Sequence, residues 1–166
     1  MNVNESTVQS LYELISECFK YNRWMDRFVS VLGVKFACPN VAKRLHKNVA
    51  HYFPQLSDSV GETCLERYNY TVEYGATPEG MEDYDSVVDM IQQMEDKIIL
   101  FQNLFMGVMK IAFQNGDIQV YTELAELLKG YNNIVEQIIL LNDKVGFYGD
   151  DCIMAFDHDV ETFWNL

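Results

Sequence analysis

Basic residues are scarce in this chain: 12 lysines and arginines stand against 25 aspartates and glutamates, giving a formal net charge of −13. That charge repels phosphate backbones and anionic lipid, and no lysine-rich arm at either end offsets it, so neither nucleic acid nor a membrane surface is expected as a partner. No stretch reaches the roughly 18 uninterrupted apolar residues that a membrane helix needs. The opening MNVNESTVQSLYELI also lacks the basic-then-apolar order of a secretory leader. The four cysteines (Cys18, Cys38, Cys64, Cys152) form no CxxC pair, which removes zinc ribbons and dithiol redox motifs and suits a reducing, cytoplasmic setting. They are expected to be buried thiols. Also missing are a phosphate-cradling glycine loop, HExxH and GxSxG.

Proline is equally rare, with three in 166 residues, and the apolar residues recur almost throughout at helical spacing, so the chain reads as all-α and as a single domain over residues 1–166. A first helix starts with Asn4 or Ser6 as its cap, carries Val8, Leu11, Ile15, Cys18, Trp24 and Phe28 on one face, and runs to about Val34. The pattern breaks at Cys38-Pro39-Asn40. A second helix then has the seam Val41, Leu45, Val49, Tyr52, Leu56, Val60 and Cys64, which holds its register through Pro54. An interior proline loses one backbone hydrogen bond and crowds the carbonyl of Ala50, so this helix is expected to be kinked there. GATPEGMEDYD, residues 75–85, reads as the longest connector, with Gly75 as helix C-cap. A third helix is expected from about Ser86 to Phe113, a tight turn at Asn115-Gly116-Asp117, and a fourth helix from about Ile118 to Phe147. Ile153, Phe156, Val160, Phe163 and Trp164 form a short tail or helix that closes one end. Helices of this length make a four-helix bundle the economical fold.

Ligand-type side chains concentrate on the second helix. His51, Gln55, Asp58, Glu62 and Glu66 fall within one arc, whereas His46 lies far round from it, so the two histidines are not expected to share an ion. Carboxylates one turn apart, such as Asp58 with Glu62 or Glu62 with Glu66, offer hard oxygens to iron or manganese, and an imidazole adds a borderline ligand. The same stripe is equally what the wet side of an amphipathic helix looks like. Glu95 borders the apolar face of the third helix and needs a partner there: a metal, a tyrosine or an arginine. His158 stands among Asp157, Asp159 and Glu161 in the tail.

Leu45-His46, GETCLER with Glu62, Glu66 and Arg67, YGATPEG, and Asn115-Gly116-Asp117 occur in an order that resembles the ferritin-like superfamily, nearest to the Dps-type mini-ferritins, over residues 40 to 145. The resemblance implies a ferritin-like four-helix bundle, binding and oxidation of ferrous iron by carboxylates and histidine, and a homo-oligomer. Glu62 and Glu66 would then be second-helix ligands, and His46 matches a histidine landmark. The chain departs from that pattern in having Asn22, Arg23 and Trp24 where the first helix would supply a histidine. It also has no ExxH, the usual source of a di-iron ligand set inside such bundles.

Two functional readings follow. One is a non-enzymatic interaction or assembly module that keeps the bundle and binds copies of itself or a protein partner. The alternative is a metal-binding protein that binds or oxidises ferrous iron through some of His46, His51, Asp58, Glu62, Glu66 and Glu95.

Overall fold

A computed structural model describes residues 2–166. Six α-helices account for most of the chain: α1 (Glu5–Val34), α2 (Pro39–Leu45), α3 (Tyr52–Val60), α4 (Val87–Gln114), α5 (Ile118–Tyr148) and α6 (Ile153–Phe163). No strand occurs among the described residues. A π-turn at His46–Ala50 joins α2 to α3, and a second π-turn at Gly61–Leu65 with a 3-10 turn at Glu66–Tyr68 continues it. These pieces form one interrupted rod, the second member of an all-α, four-helix bundle.

Local chemistry sets the helix limits. Asn4 is extended and its side chain accepts the Ser6 N–H at 3.0 Å, which caps α1. Ser86 does the same for α4, its hydroxyl accepting the Asp89 N–H at 3.1 Å. Between α4 and α5, Gly116 supplies the left-handed residue (φ 75°) of the turn. Asp117 then reaches back to the start of α1, accepting from the Thr7 hydroxyl at 2.6 Å and the Asn4 N–H at 3.2 Å.

The second rod differs from a plain kinked helix. The carbonyl of His46 accepts from the N–H of His51, five residues on, at 3.2 Å, so the chain takes one residue more per turn here than an α-helix does. Pro54 has no N–H to give to the Ala50 carbonyl. That oxygen instead accepts from the Asn22 side-chain amide of α1 at 2.8 Å. The widened turn also shifts the seam: Phe53 is fully buried, while Tyr52, expected inward, is half-buried.

The rod ends earlier than its composition suggests. Asn69, not Gly75, takes the left-handed conformation (φ 67°) after Tyr68. Residues 70–85 then return along α1 to the end where the rod began. The Tyr12 hydroxyl donates to the Thr71 carbonyl at 2.9 Å, the Gly75 N–H to the Ser16 hydroxyl at 3.1 Å, Arg27 Nε to the Glu82 carbonyl at 2.8 Å, and Lys35 Nζ to the Tyr84 carbonyl at 2.6 Å. Gly75 is needed for this close approach, since a Cβ there would sit 2.7 Å from Ser16 Oγ. The long return makes α4 run parallel to the second rod and α5 parallel to α1.

At the end where the rod starts, α6 packs against both α2 and α5. The Asp157 carboxylate, 5% exposed, accepts the Val41 N–H at 2.8 Å and the Asn40 N–H at 3.3 Å, so α6 provides the N-cap that α2 lacks in its own sequence. Trp164 Nε1 donates to the Gln137 carbonyl at 2.7 Å, and Arg44 to the Leu166 carbonyl at 2.8 Å. The tail is therefore a built part of the end wall, as its apolar residues predict. Cys18, Cys38 and Cys64 are buried as expected, but Cys152, in the turn before α6, is exposed. No described helix is long and apolar enough to cross a membrane.

Candidate functional site

Halfway along the bundle the four rods meet in a layer of rings. Tyr21 of α1, Phe53 of α3, Phe101 of α4 and Tyr131 of α5 are all buried. Phe101 is the hub, with its ring centre 4.9 Å from that of Tyr21, 5.1 Å from Phe53 and 5.0 Å from Tyr131. The Tyr131 hydroxyl donates to the Ile98 carbonyl at 2.5 Å. Burial pushes the Tyr131 phenol and the nearby Cys18 thiol far above their ordinary ranges, and raises Tyr21 and Tyr52 to about 12. Every one of these groups keeps its proton near neutrality. The layer therefore presents no carboxylate, imidazole or thiolate to a cation, and a buried di-iron carboxylate centre does not fit it.

The ligand-type residues singled out by sequence lie outside this layer. Asp58, Glu62 and Glu66 are all exposed on the second rod, and none of the three side chains takes part in an ion pair or hydrogen bond among the described residues. Arg67, next to Glu66, pairs instead with Glu123 of α5 at 2.8 Å. Glu95 is half-buried on α4 and accepts from the Asn142 amide at 2.6 Å, so its partner is an asparagine of α5. Asn142 lies 19 residues along α5 from Glu123, about 28 Å at the helical rise, which puts Glu95 in the opposite half of the bundle from Glu62 and Glu66. In the tail, His158 is exposed and contacts Asp159 at 3.1 Å, while Asp157 is committed to capping α2. No group of three or more His, Cys, Asp or Glu side chains placed to hold a metal ion occurs among the described residues.

The histidines correct the sequence reading. His46 and His51 do not point to different sides: their ring centres are 4.3 Å apart, inclined at 60°. An α-helix would set residues five apart about 140° round from each other, but the π-turn between them brings both to one exposed face. No signal for a π-turn was visible in the residue types. The interior proline three residues after His51 is the one local hint, and a proline in a helix predicts a kink rather than a widened turn.

A search of known protein families finds no match, and no curated protein matches the sequence. Solved structures do. The chain superposes over 100% of its length on 100% of an open-pore ferritin from the hyperthermophilic archaeon Archaeoglobus fulgidus, with a TM-score of 0.89 at 12% identity. A closed form of the A. fulgidus ferritin, engineered by site-directed mutagenesis, covers 96% of each chain at 12% identity and TM-score 0.87. A humanized archaeal ferritin covers 96% of each at 9% identity and TM-score 0.87. Likeness at this level of identity defines the fold: a ferritin-like helical bundle spanning the whole chain.

Proposed function

We propose that this chain is a ferritin-like subunit that assembles with copies of itself and binds ferrous iron as cargo through the outward carboxylates of its second rod, without an oxidation centre inside the bundle. The observation that carries this reading is the whole-chain superposition on ferritins; Asp58, Glu62 and Glu66, exposed on one rod and each free of an ion-pair partner among the described residues, offer separate surface carboxylates rather than one preformed three-ligand site. Hard oxygen donors of this kind suit ferrous iron, and the strongly acidic surface raises the local cation concentration. The ferritin-like fold, and the ferritin names of the structures described above, support iron over manganese and support self-assembly. The aromatic layer argues against oxidation at the bundle centre. Of the remaining candidates, Glu95 is engaged by Asn142, and His46 and His51 face each other. The assignment to the Dps branch rests on the short motifs alone.

The test is anaerobic titration of chelator-free protein with ferrous iron, followed by exposure to air. Binding should appear and fall at least tenfold in a variant carrying Asp58→Asn, Glu62→Gln and Glu66→Gln, with oxidation no faster than in buffer. Absence of binding by the native chain would remove the iron assignment. Sedimentation of the same protein should give an oligomer; a strict monomer at tens of micromolar would remove the assembly assignment.

A further inference from the structure

The π-turn at His46–Ala50 has placed two imidazoles in a relation that neither fold nor packing requires. Both rings are exposed, and neither takes part in a hydrogen bond or ion pair among the described residues. We propose that His46 and His51 together chelate one imidazole-preferring divalent transition-metal ion, of the copper, nickel and zinc class, on the outer face of the second rod.

Geometry carries the argument. Two imidazoles bound side by side to one ion, with metal–nitrogen bonds of about 2.0–2.1 Å, hold their ring centres about 4.5 Å apart at a right angle and about 5.1 Å apart at a tetrahedral angle. The 4.3 Å separation here is within reach of both by small rotations of exposed side chains. The backbone beneath them is fixed. Val49 and Ala50 are fully buried, the Ala50 carbonyl is held by Asn22, and the Asn48 amide donates to the Arg44 carbonyl at 3.0 Å. A chelating pair on a rigid turn loses little freedom when it closes on an ion.

The donor set decides which ion. Two nitrogens favour copper, nickel and zinc over magnesium and calcium, and ferrous iron stands low in the affinity order for such ligands. The site is therefore distinct in position and chemistry from the carboxylates proposed for iron, and does not depend on that reading. Lys43 lines the shallow groove that His46 shares with Asp26, so the local charge lends little help and the two imidazoles supply most of the affinity.

Isothermal titration of the full chain with nickel, and separately with copper and zinc, tests this. One equivalent should bind in the micromolar range. His46→Asn and His51→Asn should each weaken binding at least tenfold, while His158→Asn, an exposed histidine in the tail, leaves it unchanged. Circular dichroism of each variant checks that the rod is still folded. Undiminished binding in the His46 or His51 variant, or an equal loss in the His158 variant, would overturn the proposal. So would no binding to the native chain at 100 µM metal.

Discussion

Asn22→Ala should destabilise the protein by about 1–2 kcal/mol, because it strips the partner from a carbonyl that cannot find another. Ala50 is itself fully buried, and the N–H four residues on is missing since position 54 is proline. An orphaned buried acceptor costs about 1–3 kcal/mol; Asn22 is half-buried, so some water reaches the gap and the lower part of that range applies. For a chain of this size the loss corresponds to a fall in melting temperature of about 2–8 °C. The decisive measurement is a double-mutant cycle by urea denaturation at fixed protein concentration. In a Pro54→Ala background the new backbone N–H takes the Ala50 carbonyl, and Asn22→Ala should then cost about 0.5 kcal/mol or less. Equal losses in both backgrounds, to within about 0.3 kcal/mol, would refute the account of how the proline is accommodated.

Two further outcomes follow from buried groups. Asp157→Ala removes the cap that α6 lends to α2 and leaves the Val41 N–H without its acceptor; a loss of about 1–3 kcal/mol is expected, with limited proteolysis cutting first near the chain end, and unchanged stability would contradict the capping role. The buried tyrosines give an alkaline limit. Tyr21, Tyr52 and Tyr84 are each raised from 10.0 to about 12 by burial, so the folded state holds protons that the unfolded state releases. The resulting stability is fully present below pH 10 and is lost as pH rises from 10 toward 12. Ultraviolet titration should show a fraction of the ten tyrosines ionising only as helicity disappears; ordinary titration of all of them in the folded protein would disprove it.

How far the sequence disclosed this molecule depends on whether a feature is local. Local signals placed the element limits: Asn4 the start of α1, the break at Cys38-Pro39-Asn40 its end, and the Asn-Gly-Asp turn the start of α5, each within a few residues. Apolar periodicity is also local and identified the face of α1 that carries Val8, Leu11, Ile15, Cys18, Trp24 and Phe28, all of them buried. What escaped depended on distant partners or on register. Gly75 looked like a helix end because glycine suits that place, yet it serves the contact with Ser16 while Asn69 ends the rod. Asp157 looked like one more acidic tail residue because its partners are more than a hundred positions away. The π-turns were hidden because a single extra residue in a turn leaves composition unchanged and only displaces everything after it. Hence Phe53 was missed as a core residue, and the two histidines were placed apart. That Asp58, Glu62 and Glu66 lie off the apolar seam was legible, and each is exposed; what they bind was not.

Each π-turn amounts to a one-residue insertion that the rod has absorbed without breaking. The reverse edit is correspondingly informative. Deleting Lys47 would let His46–Ala50 relax to α-helical pitch and turn the following segment by about 100° relative to α2. The core would oppose that rotation because Phe53, Leu56 and Val60 are anchored. The chain would then have to pull α2 round instead, against its clamp under α6. The insertion thus works as a length adjuster between two fixed points, the end wall and the aromatic layer. The deletion would also leave the two histidines four residues apart, a spacing that keeps both on one face of a regular α-helix, so the pair would outlast the widened turn wherever the end wall yields.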